Sequence, residues 1–277
     1  MLPYVMIFGK FMLPLYGVIF MSAFFLALLI VRSRAAKYGV AKDDVTFSAI
    51  YGILGLAVGA KALFFITKLP SIINNWKVAV KLMQLDFFEF MNYAFGGWVL
   101  YGGLIGFVVG MYIYCRIYKV DFIMILDMTT PFLPFVHGFG RIACFMAGCC
   151  YGVEYHGIGA IHFPYNEFVP ELNEVPRFPV QLTEAACNFI MFAILLAIFN
   201  KGKLRKGKLL GVYLIYYSIM RFFLEYLRGD LARGKVGGVS TSQLISLLLL
   251  PVGIFLIYKG LHKRDKIKLA TVSEENR

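Results

Sequence analysis

Four ionisable side chains lie inside long apolar stretches of this chain, where a charge is costly. They are Lys61, Asp127, Arg221 and Glu225. A charge at membrane depth costs roughly 3 kcal/mol or more, so such residues usually face a cavity and have a function. Arg221 and Glu225 are four residues apart, which predicts one shared helix face that Tyr217 and Arg228 extend. Two interpretations stay open: a structural ion pair, or an arginine that Glu225 holds towards an anion such as phosphate.

The second unusual segment is HGFGRIACFMAGCCYG, residues 137–152. Its glycines, at positions 138, 140, 148 and 152, predict a break in a helix near the outer leaflet. Irregular backbone at membrane depth is tolerated only where it is buried or lines a cavity. Exposed amides beside Arg141 would make an anion site.

The same segment contains three thiols, and three interpretations of them stay open. Cys144, Cys149 and Cys150 could bind a metal with His137 or His156, but C-x4-C-C is not the usual zinc spacing. Adjacent cysteines could form a disulfide only with strain. Packing as small apolar residues is the simplest interpretation. We therefore predict no metal and no cofactor.

The composition indicates which elements position these residues. Of the 277 residues, 60% are hydrophobic and 16% are charged, which excludes an ordinary soluble domain, a disordered chain and a disulfide scaffold. The apolar runs, several of which are long enough to cross a bilayer, predict an all-α integral membrane protein with seven transmembrane helices. These runs are Phe11–Val31, Phe47–Thr67, Ala94–Cys115, Phe122–Val136, Leu182–Phe199, Leu209–Tyr226 and Leu244–Tyr258.

The net charge of +12 is concentrated on alternate connections. Residues 32–46, 116–121, 200–208 and 259–277 carry 17 of the 28 lysines and arginines. This positive-inside pattern predicts an external N-terminus and a cytoplasmic C-terminus. It favours contact with lipid headgroups over a nucleic-acid partner.

The chain is predicted to be a single membrane domain, residues 1–277, with small external elaborations. Residues 70–93 have the apolar spacing of an amphipathic helix, either on the outer membrane surface or packed on the bundle. Residues 152–180 contain four prolines and predict an external loop of short strands and turns. Residues 259–277 predict a basic cytoplasmic tail.

Several segments together resemble one known family. GRIACFMAGCCYG is similar to the signature of prolipoprotein diacylglyceryl transferases, which are bacterial inner-membrane enzymes. Further segments agree with that family in order and spacing: LPLYGVIFMSAFFLALLIVRSRAAK, FGGWVLYGGLIGFVVG, RFPVQLTEA and YYSIMRFFLEYLRGD. The resemblance covers most of the chain and implies a multi-pass protein of the bacterial inner membrane.

The resemblance implies an enzyme of lipoprotein biosynthesis. Such a transferase moves the diacylglyceryl group of phosphatidylglycerol onto the thiol of a lipobox cysteine in a preprolipoprotein. A thioether forms and glycerol phosphate leaves. The expected partners are therefore phosphatidylglycerol, the lipobox peptide and membrane lipid.

The resemblance also assigns roles to individual residues. It implies that Arg141 and Arg221 hold and stabilise the leaving phosphate. It places other residues on motif positions of the lipid site: Tyr16, Lys61, Gly152, Glu184, Tyr217, Glu225 and Arg228.

Three departures alter the part of the site that would activate the thiol. Tyr101 stands where the family usually has the histidine proposed for this task, and Phe178 replaces a second histidine. Cys144 and Cys149 replace the usual asparagine and glutamate. A phenol, with a pKa near 10, is a poor base unless nearby arginines lower that value. The predicted catalytic residues are therefore Arg141 and Arg221 with Tyr101 or, as a substitute base, His137.

Two alternatives to this reaction remain. A homologue on the same fold could transfer another phospholipid-derived group or use Cys149 or Cys150 as its own nucleophile. A non-enzymatic lipid-binding or transport protein is the second alternative, but the inverted repeats typical of transporters are not found in the sequence.

Overall fold

The computed structural model describes residues 4–7, 11–164, 174–201, 207–230, 235–236 and 238–275, and the chain there is mainly helical. Parts of the predicted external loop and of the basic connections lie outside these residues. The helices are α1 Leu15–Arg34, α2 Lys42–Asn74, α3 Trp76–Leu85, α4 Phe87–Phe95, α5 Leu100–Ile117, α6 Phe122–Thr129, α7 Phe132–Ala147, α8 Val180–Asn200, α9 Lys208–Leu224 and α10 Thr241–Glu275. Two short antiparallel hairpins pair β1 Tyr4–Ile7 with β2 Phe11–Pro14 and β3 Lys235–Val236 with β4 Val239–Ser240.

The prediction of an all-α membrane protein is confirmed at the level of class. Among the described residues, five helices are long and apolar enough to cross a membrane: α1 (with the 3₁₀ turn that follows it), α2, α5, α8 and the part of α10 up to Lys259. The bent pair α6–α7 gives up to six. Many large apolar side chains on these helices are exposed, for example Leu29, Val58 and Ile105, as expected for surfaces that face lipid.

The chain divides into two compact units. The first unit contains residues 1–30 and 126–277, and the second contains Val31–Ile125. In the second unit α2 packs on α5 through glycines. A Cβ added to Gly106 would collide with the carbonyl oxygen of Gly55, and one added to Gly102 would collide with that of Gly59. Small residues four apart therefore let the two backbones approach closely, as in other membrane helix pairs.

The first unit contains two main helix pairs, α7 with α8 and α9 with α10. Gly138 of α7 faces the ring of Phe189 on α8, and a Cβ there would lie 2.9 Å from that ring. Gly211 of α9 faces the backbone of Gly253 on α10 in the same way. These close approaches bring the polar side chains of α7, α8 and α9 into the interior of the unit.

The prediction that glycines break the helix in residues 137–152 is wrong for two of them. Helix α7 continues through Gly138 and Gly140, so the amides beside Arg141 belong to the helix. The break comes earlier, between α6 and α7, where the axes bend by 43° and Pro131 precedes α7. Gly148 does end the helix, with a φ of 71°. An anion site built from a gap beside Arg141 is therefore excluded.

Residues 70–93 form helical structure, but not the single helix that their spacing predicted. Helix α2 runs on to Asn74, and the remaining residues divide between α3 and α4. Asp86 causes the division, because its side chain accepts a hydrogen bond from the amide of Glu89 (3.0 Å) and caps α4. The first apolar run is likewise shorter as a helix than predicted, since residues 11–14 form β2.

Candidate functional site

The candidate site includes a buried polar face of α8. Gln181, Glu184 and Asn188 are each at most 1% exposed, although the helix around them is apolar. Their spacing of three and four residues places them on one side of the helix. A buried carboxylate in such a helix requires a cation beside it.

Arg141 of α7 is that cation. Its Nε lies 2.9 Å from Oε1 of Glu184, and both side chains are largely buried. Nε2 of His137, one turn earlier on α7, lies 3.3 Å from the same oxygen and 3.3 Å from Nε of Arg141. The three side chains therefore form one cluster, which engages Arg141 through Nε.

Arg221 of α9 is held by a second carboxylate, as its spacing predicted. Its Nη2 lies 2.6 Å from Oε2 of Glu225 and donates a hydrogen bond to the hydroxyl of Ser242 (3.0 Å) on α10. The arginine is only 3% exposed, and its buried Nη1 has no hydrogen-bond partner among the described residues. A buried guanidinium with a spare donor can accept an anionic ligand, because an unsatisfied donor is costly to leave buried.

The two arginine clusters are neighbours in the first unit. Glu184 interacts electrostatically with Arg221 as well as with Arg141. The ring of Tyr217 on α9 lies 5.7 Å from the ring of His137. The structure therefore brings together two guanidinium groups that are 80 residues apart in sequence.

Gly152 and Arg228 meet in a small strand-like layer beside these clusters. Val153 donates its amide to Leu227, and the bridge between residues 152 and 228 is antiparallel. A Cβ on Gly152 would collide with the carbonyl oxygen of Phe178, so the glycine is needed for contact with its own chain. Short strand pairing in residues 152–180 is confirmed by two further bridges, which join Arg177 to residues 154 and 161.

Arg228 does not extend the face of Arg221, contrary to the prediction from spacing. Helix α9 ends at Leu224, and a 3₁₀ turn carries the chain into an extended residue at position 228. The guanidinium of Arg228 instead forms a two-pronged pair with Asp230, through distances of 2.9 and 2.7 Å. Asp230 therefore already occupies two of its donors.

Tyr16 and three thiols also lie near Arg141. Tyr16 lies in the first turn of α1, is exposed and interacts electrostatically with Arg141 and Cys144. The sulfur atoms of Cys144, Cys149 and Cys150 all lie within 4.8 Å of one another, the distance range of groups that can hold a metal ion. The site thus combines cations, a half-exposed phenol and a thiol cluster.

Two predicted site residues, Lys61 and Tyr101, belong to the second unit. The ammonium of Lys61 donates to the carbonyl oxygens of Phe95 (2.6 Å) and Gly96 (3.4 Å) and lies 4.7 Å from the ring centre of Trp98. These contacts fix the end of α4. Tyr101 lies in the first turn of α5 and is 38% exposed.

Asp127, the remaining charge in an apolar stretch, has a structural contact. Its Oδ2 accepts a hydrogen bond from the amide of Gly207 (2.8 Å), the residue that precedes α9. A carboxylate at a helix N-terminus offsets the partial positive charge there. This contact fixes the start of the helix that carries Arg221.

Sequence reasoning missed three polar residues that line or support the site: Gln181, Asn188 and Ser242. Gln181 donates to the carbonyl oxygen of Cys149 (2.9 Å), and Asn188 donates to that of Glu184 (2.8 Å). The sequence could have indicated the two residues on α8, because polar residues at intervals of three and four interrupt an apolar run there. Ser242 gave no such signal, because its role depends on how α10 packs against α9.

The helices and the paired arginines define an integral membrane protein with a candidate anion-binding centre. Comparison with known proteins identifies the family. The family model for prolipoprotein diacylglyceryl transferase matches residues 3–259, and the chain belongs to this family.

Curated relatives agree over most of their length. A phosphatidylglycerol–prolipoprotein diacylglyceryl transferase of Clostridium perfringens is 36% identical over 241 residues, which cover 87% of this chain and 88% of the relative. The enzyme of the same name from Clostridium tetani is 33% identical, covering 87% and 90%. That of Clostridioides difficile is 30% identical, covering 94% of both.

Proposed function

We propose that this protein transfers the diacylglyceryl group of phosphatidylglycerol to the lipobox cysteine of preprolipoproteins and releases glycerol phosphate. The observation that carries the proposal is the Arg141–Glu184 pair within electrostatic reach of Arg221, in a chain that matches the transferase family over residues 3–259. The leaving group is a phosphate ester, so the reaction needs cations that are fixed in place before charge develops.

In this reaction Arg141 and Arg221 hold the phosphate and stabilise the negative charge that develops as the carbon–oxygen bond breaks. The Nη groups of Arg141 and the spare Nη1 of Arg221 supply the donors. Glu184 and Glu225 orient the two guanidinium groups, and Ser242 fixes the second one further. Preorganised donors of this kind act strongly because they do not need to reorient during the reaction.

The remaining site residues have supporting roles. Tyr16 and Tyr217 lie beside the arginine clusters, where they can contact the glycerol and headgroup hydroxyls. Gly152 and Arg228 hold the strand-like layer in place beside the site. Lys61 is assigned to lipid binding by the family motif, but its bonds to the carbonyl oxygens of residues 95 and 96 favour a structural role.

The substrate thiol must lose its proton before it attacks carbon. Tyr101 stands at the motif position of the family's histidine, and His137 lies beside Arg141 and Glu184. A neutral imidazole is the better base near pH 7, since a phenol has a pKa near 10. His137 is therefore our preferred candidate for this role over Tyr101.

The topology that fits this function has an external N-terminus and a cytoplasmic C-terminus. It has seven spans, which are the six candidate spans described above and α9. Helix α9 has 17 residues and is continued at once by a 3₁₀ turn. The basic connections support the orientation, because positive charge is retained on the cytoplasmic side. The site would then open to the outer leaflet of the bacterial cytoplasmic (inner) membrane, where the lipid and the preprolipoprotein meet.

The direct test uses the full chain purified in detergent and mixed with phosphatidylglycerol vesicles and a lipobox peptide. The peptide should gain the mass of one diacylglyceryl group, and glycerol phosphate should appear in equal amount. A peptide with serine in place of the cysteine and vesicles of phosphatidylethanolamine are the matched controls, and neither should give product. If folded protein gives neither the lipidated peptide nor glycerol phosphate, the proposal is wrong.

A further inference from the structure

Three cysteines, Cys144, Cys149 and Cys150, lie together at the end of helix α7. The spacing of a continuous helix would not bring Cys144 next to the other two. Gly148 adopts a φ of 71°, and the chain then folds back over the last turn, so that the amide of Cys149 donates to the carbonyl oxygen of Cys144 (3.1 Å). This is the six-to-one hydrogen bond of a glycine-terminated helix. It brings positions 144 and 149 together and places Cys150 beside both.

The geometry of the three sulfur atoms is close to that of a metal site. They lie within 4.8 Å of one another, and the Cys149 thiol donates a hydrogen bond to the carbonyl oxygen of Cys144 (3.7 Å). Three thiolates around zinc, each at about 2.3 Å, would be about 3.8 Å apart in a tetrahedral arrangement. The observed cluster therefore needs to contract by about 1 Å at most to reach this spacing.

The surroundings hold the cluster in place. Cys144 is buried, and the amide of Gln181 donates to the carbonyl oxygen of Cys149 (2.9 Å). Cys150 has a φ of 59°, a conformation that residues other than glycine rarely adopt and that clusters at functional sites. In the part of the chain that the structure describes, no fourth His, Cys, Asp or Glu joins this group.

Two arginines lie near the thiol cluster. Arg228 forms a hydrogen bond with the Cys150 thiol, and Arg141 lies within electrostatic range of it. Three thiolates and one divalent cation would have a net charge of −1, which the neighbouring guanidinium groups can offset.

We propose that Cys144, Cys149 and Cys150 bind one soft divalent cation of the zinc class and leave its fourth position open to a thiol. Open three-ligand sites are typical of catalytic zinc, whereas closed four-ligand sites are typical of structural zinc. The pattern C-x4-C-C escapes the usual spacing rules because the glycine turn after α7, and not a zinc loop, brings the sulfur atoms together.

The role of this site rests on the proposed transferase function. The lipobox thiol would bind the open position as a thiolate and release its proton to His137, the base proposed above. Its sulfur then forms a bond with the glycerol carbon that carries the phosphate, while the bond from that carbon to oxygen breaks. The electron pair leaves with the oxygen of glycerol phosphate, next to Arg141. The metal would thus help His137 to compensate for the histidine that Tyr101 replaces.

Cobalt(II) is the probe for the metal site, because its thiolate complexes absorb visibly and report tetrahedral geometry. The full chain, reduced and stripped with a chelator in detergent, should bind one equivalent of cobalt and yield it to zinc. Cys144→Ser, Cys149→Ser and Cys150→Ser should each weaken binding by at least about tenfold. Cys115→Ser and Cys187→Ser are matched controls and should bind as the wild type does.

Three cobalt results would overturn the metal site. The first is a folded wild-type chain that binds no cobalt. The second is binding that survives all three substitutions, and the third is binding that is lost equally in the two controls. Circular dichroism and a single gel-filtration peak establish folding for each variant. A disulfide in the purified chain that cannot be reduced without unfolding would also reject the proposal in favour of a redox pair.

Adding peptides to the cobalt-loaded chain tests the open position without relying on turnover. A lipobox peptide should change the cobalt spectrum towards four sulfur ligands, whereas its serine version should not. An unchanged spectrum would refute the thiol-binding role even if the metal site itself is real. Metal binding without any lipid transfer would refute the transferase function and leave the metal site standing. Equal turnover with and without bound metal would refute the catalytic role of the metal and leave the transferase function standing.

Discussion

Both units pack helices through glycines, but among the described residues only one unit holds largely buried ion pairs. In Val31–Ile125, the interface between α2 and α5 is built on glycines, and the ammonium of Lys61 bonds to carbonyl oxygens of its own unit. In the other unit, the buried Glu184 and the largely buried Glu225 pair with two arginines. The charge of Lys61 is thus used in contacts that stabilise the fold, whereas Nη1 of Arg221 remains available as a hydrogen-bond donor.

The difference is also energetic. A glycine interface gains its stability from close packing, so it tolerates few added atoms but needs no ligand. A buried ion pair offsets its own desolvation poorly, and it is weak evidence for stability alone. The unit with two such pairs and an unsatisfied arginine donor is therefore the one that we expect to bind the anionic substrate.

The largest expected effect comes from replacing either arginine. Arg141→Lys and Arg221→Lys keep the charge but lose the planar set of donors, so each should lower kcat by about 100- to 1000-fold. Release of glycerol phosphate measures this. Arg32→Lys is the matched control, since Arg32 pairs with exposed Asp43 in the other unit and should keep near wild-type turnover. More than about a tenth of the activity in either arginine variant would break the contrast between the units.

Replacing the carboxylate that orients Arg141 should have the next largest effect. Glu184→Gln keeps the volume but removes the charge, and we expect kcat to fall by about 10- to 100-fold because Arg141 loses its orientation. Glu154→Gln is the control, because Glu154 is exposed and pairs with His156. A double variant with Arg141→Lys should be no worse than the arginine change alone. Fully additive losses would show that Glu184 does not act through Arg141.

A glycine substitution tests the packing of the second unit. Gly106→Ala should lower the free energy of unfolding by about 2 kcal/mol, because its Cβ would collide with the backbone of Gly55. Gly103→Ala on the same helix is the control, since its nearest neighbour is the flexible side chain of Leu56 at 3.3 Å. Thermal denaturation in detergent compares the two. Equal stabilities would mean that the glycines do not set the helix separation.

The smallest effect is expected at Lys61. Lys61→Met removes the bonds to Phe95 and Gly96 and should cost about 1 kcal/mol of stability. The KM for phosphatidylglycerol should stay within about twofold of wild type, since a factor of two is only about 0.4 kcal/mol. A tenfold rise in KM with unchanged stability would instead support the lipid-binding role that the family motif assigns to Lys61.

Much of the class and part of the site could be predicted from the sequence. Long apolar runs predict membrane helices directly, and the pairing of Arg221 with Glu225 follows from helical periodicity. The pairing of Arg141 with Glu184 could not be read from local spacing, because it depends on the packing of α7 against α8. The helix through Gly138 also escaped prediction, because glycine there serves contact with Phe189 and not a break.

The thiols show the same limit. Their spacing in the sequence predicted no metal site. Our inference from the turn after Gly148 is the opposite, because that turn brings the three sulfur atoms together. A hydrogen bond that folds the chain back by five residues is a property of the helix end. A rule based on counting residues between ligands does not include it.

The most direct measurement of the central claim is a structure of the protein with phosphatidylglycerol bound. Our account predicts phosphate oxygens within about 3.2 Å of an Nη group of Arg141 and of Nη1 of Arg221. A phosphate bound by Lys61 in the other unit, with both arginines paired only to Glu184 and Glu225, would contradict it.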